Sequence, residues 1–394
     1  MIGDIDTIEL DDNLKFLIAC SQTEPSENNI KFIQQFLSSI DTQELIPLAI
    51  GHGILPLVYK TLKYLNTKYL TVNTEILSEL KAHYMRISQR NMLMSAELIR
   101  IMKLLKENDI EALAFKGPAL SQMVHGDITL RQYSDLDILI HPKNLNTASQ
   151  LLIAHGYESR VSLDYLNNQA FLNVNHDMNF YKSITVELHW RLFEEQLLLT
   201  FDPKLIWDHK EVVVMQNQEI NTLEVSNLLI YLCIHGSKHA WERLEWILDI
   251  DKLIRTYPKL NWGDILQKSI DLEEEHLLLL GLDLSHRLFH SEIPENIQKN
   301  IEKNKKVQDL RKIVFKYFNE NLIADAGSKS YYRKLSYFRA QMQKNKWAKL
   351  KYIFYNLIKL NSSDIEELPP QKHSHLHYYF SRLTRLIRVY TRTN

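Results

Sequence analysis

The chain has 394 residues, a formal net charge of −1, 45% hydrophobic and 24% charged residues, and only ten glycines and ten prolines. That balance excludes a disordered or fibrous chain, and the length allows two or three domains rich in long helices. Cys20 and Cys233 stand far apart, which excludes a disulfide framework or a thiolate zinc site.

The acidic start, Met1-Ile2-Gly3-Asp4, is not followed by an apolar run, so no signal peptide is expected. The richest apolar stretch, Leu277 to Leu284, is short and broken by Gly281 and Asp283, so no membrane span is expected. A cytoplasmic protein follows.

In chain order, apolar residues recur with helical spacing over 28–37, 42–49, 55–65 and 95–107. The character then changes. Residues 110–115 predict a short strand ended by Gly117-Pro118, followed by one or two helical turns over 119–124. A second strand is predicted over 133–140, then a helix over 145–155 that Gly156 stops. Residues 176–181 and 184–190 read as a hairpin, and 211–215 with 219–223 as the last strands. Helices resume at 227–240, 244–255, 262–269, 273–288 and 294–318. The resulting division is a helical domain over 1–108, an α/β core over 109–224, a helical domain over 225–327 and a basic helical tail over 328–394. No internal repeat of 20–50 residues is visible.

The chemistry concentrates on the predicted strands. In Ser134-Asp135-Leu136-Asp137-Ile138, the two aspartates are two residues apart on a strand, so they share one side while Leu136 and Ile138 face the core. Carboxylates held roughly 6–7 Å apart repel one another unless a cation sits between them. That arrangement holds Mg²⁺ against a nucleoside triphosphate. The same alternation in Thr185-Val186-Glu187-Leu188-His189-Trp190-Arg191 puts Glu187, His189 and Arg191 on one face, which supplies a third acid and an imidazole. The turn at Lys116-Gly117 allows close approach to a phosphate, and the helix beginning near Pro118 aims its amides there. Arg131 and Ser134, beside the carboxylate strand, are placed to meet phosphate oxygens.

Other patterns carry less. His235 and His239 have the i, i+4 spacing of a metal pair, but Gly236 stands where a zincin has its glutamate, so packing at a helix junction is the better reading. Lys238 and His239 could reach a triphosphate across the cleft. Trp241 and Trp246 fit a helix interface. No Gly-x-Ser-x-Gly elbow, P-loop or Rossmann fingerprint occurs. From Ser328 onward, fourteen Lys/Arg stand against three acids, a net +11 that leaves −12 for the rest. With its interleaved aromatics this tail suits RNA, an acidic lipid surface or an acidic partner, or else a helical extension whose aromatics dock while the cations face water. His373, His375 and His377, after Pro369-Pro370, read as a solvated linker.

The runs Lys116-Gly117-Pro118-Ala119-Leu120, Leu130-Arg131, Ser134-Asp135-Leu136-Asp137 and Glu187-Leu188-His189-Trp190-Arg191-Leu192 resemble the largely uncharacterised bacterial nucleotidyltransferase family with the polymerase-β-like fold. The resemblance extends from about residue 25 to 260 and takes in Gly51-His52-Gly53, Leu232 to Trp241, and Trp246 to Asp249. It implies an α+β fold, a small mixed-sheet nucleotidyltransferase core between helical domains. It also implies transfer of a nucleoside monophosphate from an NTP such as ATP, with two Mg²⁺ ions, to a hydroxyl, phosphate or amine, releasing pyrophosphate. Some relatives accompany gene clusters for modified peptides, so a peptide or protein joins small molecules and RNA as an implied acceptor.

In this reading Asp135, Asp137 and Glu187 ligate metal, Glu187 helps deprotonate the acceptor, and His189 supports it. Lys116, Gly117, Arg131, Ser134, Lys238 and His239 hold the nucleotide. The wider superfamily has Gly-Ser or Gly-Gly where this chain has Lys116-Gly117, so a cation replaces the usual hydroxyl. The competing expectations are a catalytically silent module of the same fold that binds nucleotide, RNA or protein, and phosphotransfer without nucleotide attachment.

Overall fold

Where the sequence alternates, the computed structural model forms strands, and where it repeats with helical spacing it forms helices. The structure describes residues 10–22, 25–37, 42–69, 71–194, 201 and 203–358. The cluster of His373, His375 and His377 and the tail beyond 358 lie outside the described residues.

Five short strands make the central sheet: β1 (Ala112–Ala114), β2 (Asp135–Ile140), β3 (Glu158–Ser159), β4 (Asp177–Tyr181) and β5 (Thr185–His189). Their order is β1-β2-β5-β4-β3, with β2 and β5 parallel and the other neighbours antiparallel. A separate hairpin, β6 (Lys210–Met215) and β7 (Gln218–Leu223), turns at Gln216 and Asn217, whose φ values of 48° and 62° suit the twist of a two-residue hairpin.

Helices surround this sheet. Before it come α1 (Asp12–Cys20), α2 (Glu27–Phe36), α3 (Thr42–Gly51), α4 (Leu55–Lys68) and α5 (Thr74–Glu107). Between and beside the strands lie α6 (Gly117–His125), α7 (Leu145–Ala154), α8 (Gln169–Val174) and α9 (Pro203–Trp207). After it follow α10 (Val225–Lys238), α11 (Leu244–Thr256), α12 (Trp262–Asp271), α13 (Glu275–Phe289), α14 (Glu295–Lys303), α15 (Lys305–Asn319), α16 (Lys329–Gln341) and α17 (Lys346–Ile358). The chain is therefore a mostly helical α+β protein around a small mixed sheet, the class read from its sequence. No described helix is long and apolar enough to cross a membrane.

Several elements differ from expectation for local reasons. The helix expected over 95–107 is the last part of the 34-residue α5, which Asn73 starts by accepting from the Glu75 amide. The helix expected over 294–318 is two, because Asn304 (φ −86°, ψ 95°) leaves the helical region and its side chain caps α15 by accepting from the Val307 amide. In the basic segment, Leu335, Phe338 and Tyr352 are buried while Trp347 and Phe354 project into solvent, so docking accounts for only part of its apolar surface.

The longest helix positions the site. On α5, Asn91 is buried and donates from Nδ2 to the carbonyls of Ile128 (2.7 Å) and Arg131 (2.8 Å). One residue earlier, Arg90 donates to the Ser134 carbonyl at 3.0 Å. These bonds satisfy the irregular backbone that feeds β2 and fix where Asp135 begins. The α10 helix is buried almost all round, which explains its continuous apolar run from Leu228 to Ile234.

Candidate active site

The parallel pairing of β2 with β5 sets the site. Its register places Asp137 opposite Glu187 and Asp135 opposite Thr185. In the antiparallel pair beyond, Asp177 lies opposite His189 and Asn179 opposite Glu187. Alternation then sends Leu136, Ile138, Val186 and Leu188 into the core and the polar residues toward one cavity.

That cavity, about 360 Å³, is lined by all ten residues singled out in the sequence: Lys116, Gly117, Arg131, Ser134, Asp135, Asp137, Glu187, His189, Lys238 and His239. Asp137, Glu187 and His189 each bring a donor atom within 4.8 Å of the other two, and theirs is the close-set group of metal-ligating side chains among the described residues. Asp135 lines the same cavity but stands outside that group. Its carboxylate accepts from Ser134 Oγ at 3.2 Å.

Asp137 is the electrostatic centre. Its Oδ1 has Lys116 Nζ at 2.7 Å and His189 Nε2 at 3.3 Å, and His189 Nε2 lies 3.4 Å from Glu187 Oε2. Neither approach to Asp137 is aligned as a hydrogen bond, so its Oδ1 is buried without one, as are both ring nitrogens of His189. Burial works against the Asp137 carboxylate, but Lys116 and His189 hold it well below the usual carboxylate range. Burial likewise opposes charge on His189, yet its contacts with Asp137 and Glu187 and the nearby Asp177 raise it to about 9. Burial, reinforced by repulsion from Asp137, pushes Asp135 up. For Lys116, the charges of Asp137 and Asp135 and the Tyr231 hydroxyl outweigh burial and raise it.

Gly117 begins α6 with φ 55°, a left-handed conformation that favours glycine, and a side chain there would press on the Asp135 carbonyl. The turn is thus bound to the strand carrying the acids. Pro118 follows at the start of the helix.

The other cations are committed to partners. Arg131 donates from Nε to both oxygens of Asp249 on α11, at 3.0 and 3.1 Å, inside a buried pair. Lys238 pairs with Glu194 at 2.9 Å, and Arg243 pairs with Glu245 at 2.9 Å. Arg191 departs from the expected shared face. Because β5 ends at His189 and the chain turns, its guanidinium donates to the carbonyls of Leu172, Asn173 and Asn175. His235 and His239 pack against Trp246, with ring centroids 5.5 and 5.1 Å away, and burial drives both toward the neutral form.

Sequence reasoning overlooked His176, Asp177, Tyr231, Arg243 and Glu245, all of which line the cavity. Asp177 had a usable signal. It alternates with Asn179 on the strand next to Glu187, so pairing the two predicted strands places it on the face of the acids.

Residues 38–290, well over half of the chain, match the family described as uncharacterised nucleotidyltransferase. The chain belongs to that family. No curated protein matches it. Among solved structures, it is similar to the antibiotic-resistance factor ANT(2'')-Ia in solution, at 10% identity and a TM-score of 0.35 over 51% of this chain and 99% of that one. It is also similar to an antigenic nucleotidyltransferase-like protein from Paracoccidioides brasiliensis, at 16% identity and a TM-score of 0.30 over 50% and 96% of the two chains. A tRNA-processing enzyme in an apo form shares 12% identity at a TM-score of 0.22 over 66% of this chain and 77% of its own. Scores this low leave function to the chain's own residues.

Proposed function

We propose that this cavity transfers a nucleoside monophosphate from an NTP to an acceptor and releases pyrophosphate. The observation that carries the reading is the register of β2 on β5, which sets Asp137 beside Glu187 and next to the Gly117 turn. Mg²⁺ takes oxygen ligands, and Asp135, Asp137 and Glu187 offer carboxylates. Asp137 Oδ1, buried without an aligned hydrogen bond, is an oxygen fitted to a cation. The residues present therefore fit the metal. Two ions held there would neutralise charge on the triphosphate and at the attacking and leaving oxygens.

The chain's own groups do the rest. His189, charged between Asp137 and Glu187, offsets the mutual repulsion of the two acids and is poorly suited to be a Mg²⁺ ligand itself. Glu187 faces the acceptor side and helps take its proton. The amides at the start of α6, Lys116 and Ser134 Oγ bind phosphate oxygens. Lys238 and His239 close the far wall, while Arg131, held by Asp249, lines the cavity beside the acids. A peptide, a small molecule or RNA is the acceptor.

The test is incubation of the full chain with each NTP labelled at the α-phosphate, Mg²⁺ and cell extract. Label should pass to one acceptor class and vanish with Asp137→Asn, which should keep its fold by circular dichroism. A γ-label transferred instead would make the reaction simple phosphotransfer. A second reading, a silent module of the same fold, draws on Lys116 satisfying Asp137 without metal. Undiminished biological effect in Asp135→Ala would favour it.

A further inference from the structure

We infer that Lys116 is an interlock, its ammonium occupying the position on Asp137 that a divalent cation needs and leaving it only when a triphosphate offers the lysine another anion. The inference rests on the nucleotidyl-transfer reading above and adds an obligatory coupling between metal and nucleotide.

Three observations carry it. First, Lys116 Nζ is 2.7 Å from Asp137 Oδ1, and that oxygen is shut off from solvent. A metal ion can reach it only if a neighbour moves. Second, the other neighbour is fixed. His189 ends β5, its Nε2 lies between Asp137 and Glu187, and its ring packs edge-on against Phe115 and His176 at 5.2 and 5.3 Å. Third, Lys116 sits on the turn before α6, lines the cavity and keeps part of its side chain exposed. A lysine is a point charge on a four-carbon stem with three rotatable donors, so it can change partners at small cost.

A divalent ion and an ammonium cannot crowd one carboxylate oxygen without strong repulsion. Metal alone must therefore expel Lys116 toward the Tyr231 hydroxyl and solvent, with no anion beside it but Asp135, which is itself a metal ligand in this reading. Phosphates lying against the Gly117 turn supply a receiver, beside the residue that has to move. Until then the lysine offsets the mutual repulsion of the acids. Metal and nucleotide thus strengthen one another's binding, as linkage requires.

Manganese titration of the full-length protein, followed by electron paramagnetic resonance, tests this without turnover. Without nucleotide, Lys116→Gln should bind Mn²⁺ about 5- to 150-fold more tightly than the wild type, the usual span of coupling between two sites. Adding Asp137→Asn to that variant should abolish the gain. Equal affinity of wild type and Lys116→Gln for Mn²⁺ alone overturns the interlock, and leaves the transferase reading standing if the wild type binds Mn²⁺ with a non-hydrolysable NTP analogue. Tight binding that survives Asp137→Asn places the ion elsewhere and also overturns it. Absence of Mn²⁺ binding to the wild type with every NTP analogue removes both proposals. Should Lys116→Gln fail to fold, wild-type thermal midpoints decide. A rise with Mg²⁺ plus analogue, but not with Mg²⁺ alone or with analogue in chelator, supports the interlock. An equal rise with Mg²⁺ alone overturns it.

Discussion

Two largely buried ion pairs, Arg131–Asp249 and Lys116–Asp137, flank the start of β2 and differ in kind. Arg131 meets Asp249 through one guanidinium nitrogen shared between both carboxylate oxygens, and its own carbonyl is held by Asn91. Lys116 meets Asp137 at a single oxygen, poorly aligned, on the wall of a cavity, with His189 as a second cation at hand. The first pair joins the segment before β2 to α11, and its arginine, with Arg243 and Glu245, lines the same cavity at its junction with the helices, near His52. The second belongs to the acids. A planar, always-charged guanidinium suits a permanent joint, whereas an ammonium on a flexible stem suits a replaceable one. That a salt bridge is largely buried therefore does not by itself fix its duty.

The contrast can be broken by mutation. Arg131→Ala should cost about 3–5 kcal/mol in urea unfolding, because Asp249 is left as an uncompensated buried charge. A loss no larger than that of Lys116→Gln would erase the distinction. Asn91→Ala, which strips two carbonyls of their donor, should cost about 1–3 kcal/mol and shift the Arg131 segment.

Acid should weaken both the junction and the cavity wall, since burial lowers His176, His235 and His239 as well as His52. Burial, with the Arg243 charge adding to it, lowers His52 from 6.5 to about 3. A histidine with a depressed folded value contributes stability that is whole above its unfolded value and is lost as pH falls from 6.5 toward 3. Between pH 6.5 and 5 this should amount to about 2 kcal/mol at most, and His52→Gln should flatten that slope in denaturant titrations across the range. The smallest effect is expected at the site. Lys116→Gln should cost about 1 kcal/mol, since His189 still faces Asp137, and added Mg²⁺ should recover it as a higher midpoint.

What could be read from the sequence follows the reach of each signal. Strand alternation is local, and it put Asp135, Asp137, Glu187 and His189 toward a common side before any coordinates. It failed at Arg191 because alternation lasts only as long as the strand, and β5 stops two residues earlier. The front of α5 was missed because exposed Met85, Met92 and Leu93 blur its apolar stripe. Asn304 divides one expected helix through a side-chain cap that periodicity does not register. The ion partners were out of reach altogether. Arg131 and Asp249 are 118 residues apart, and charge pairing across such a separation has no local signature. That is why the pairing of Arg131 with α11 could not be read from the sequence.

The side-by-side, same-direction pairing of β2 and β5 has a consequence for how the family can diversify. Neighbouring strands that run the same way need a long crossing excursion, here the stretch from 141 to 184 with α7, α8 and the strands β3 and β4. Both of its ends are pinned by the ladder that sets Asp137 against Glu187. Insertions, deletions or wholesale replacement inside that excursion can reshape the neighbourhood of an incoming acceptor while the spacing of the two acids stays the same. Recognition can drift freely around a chemistry that the backbone ladder keeps constant.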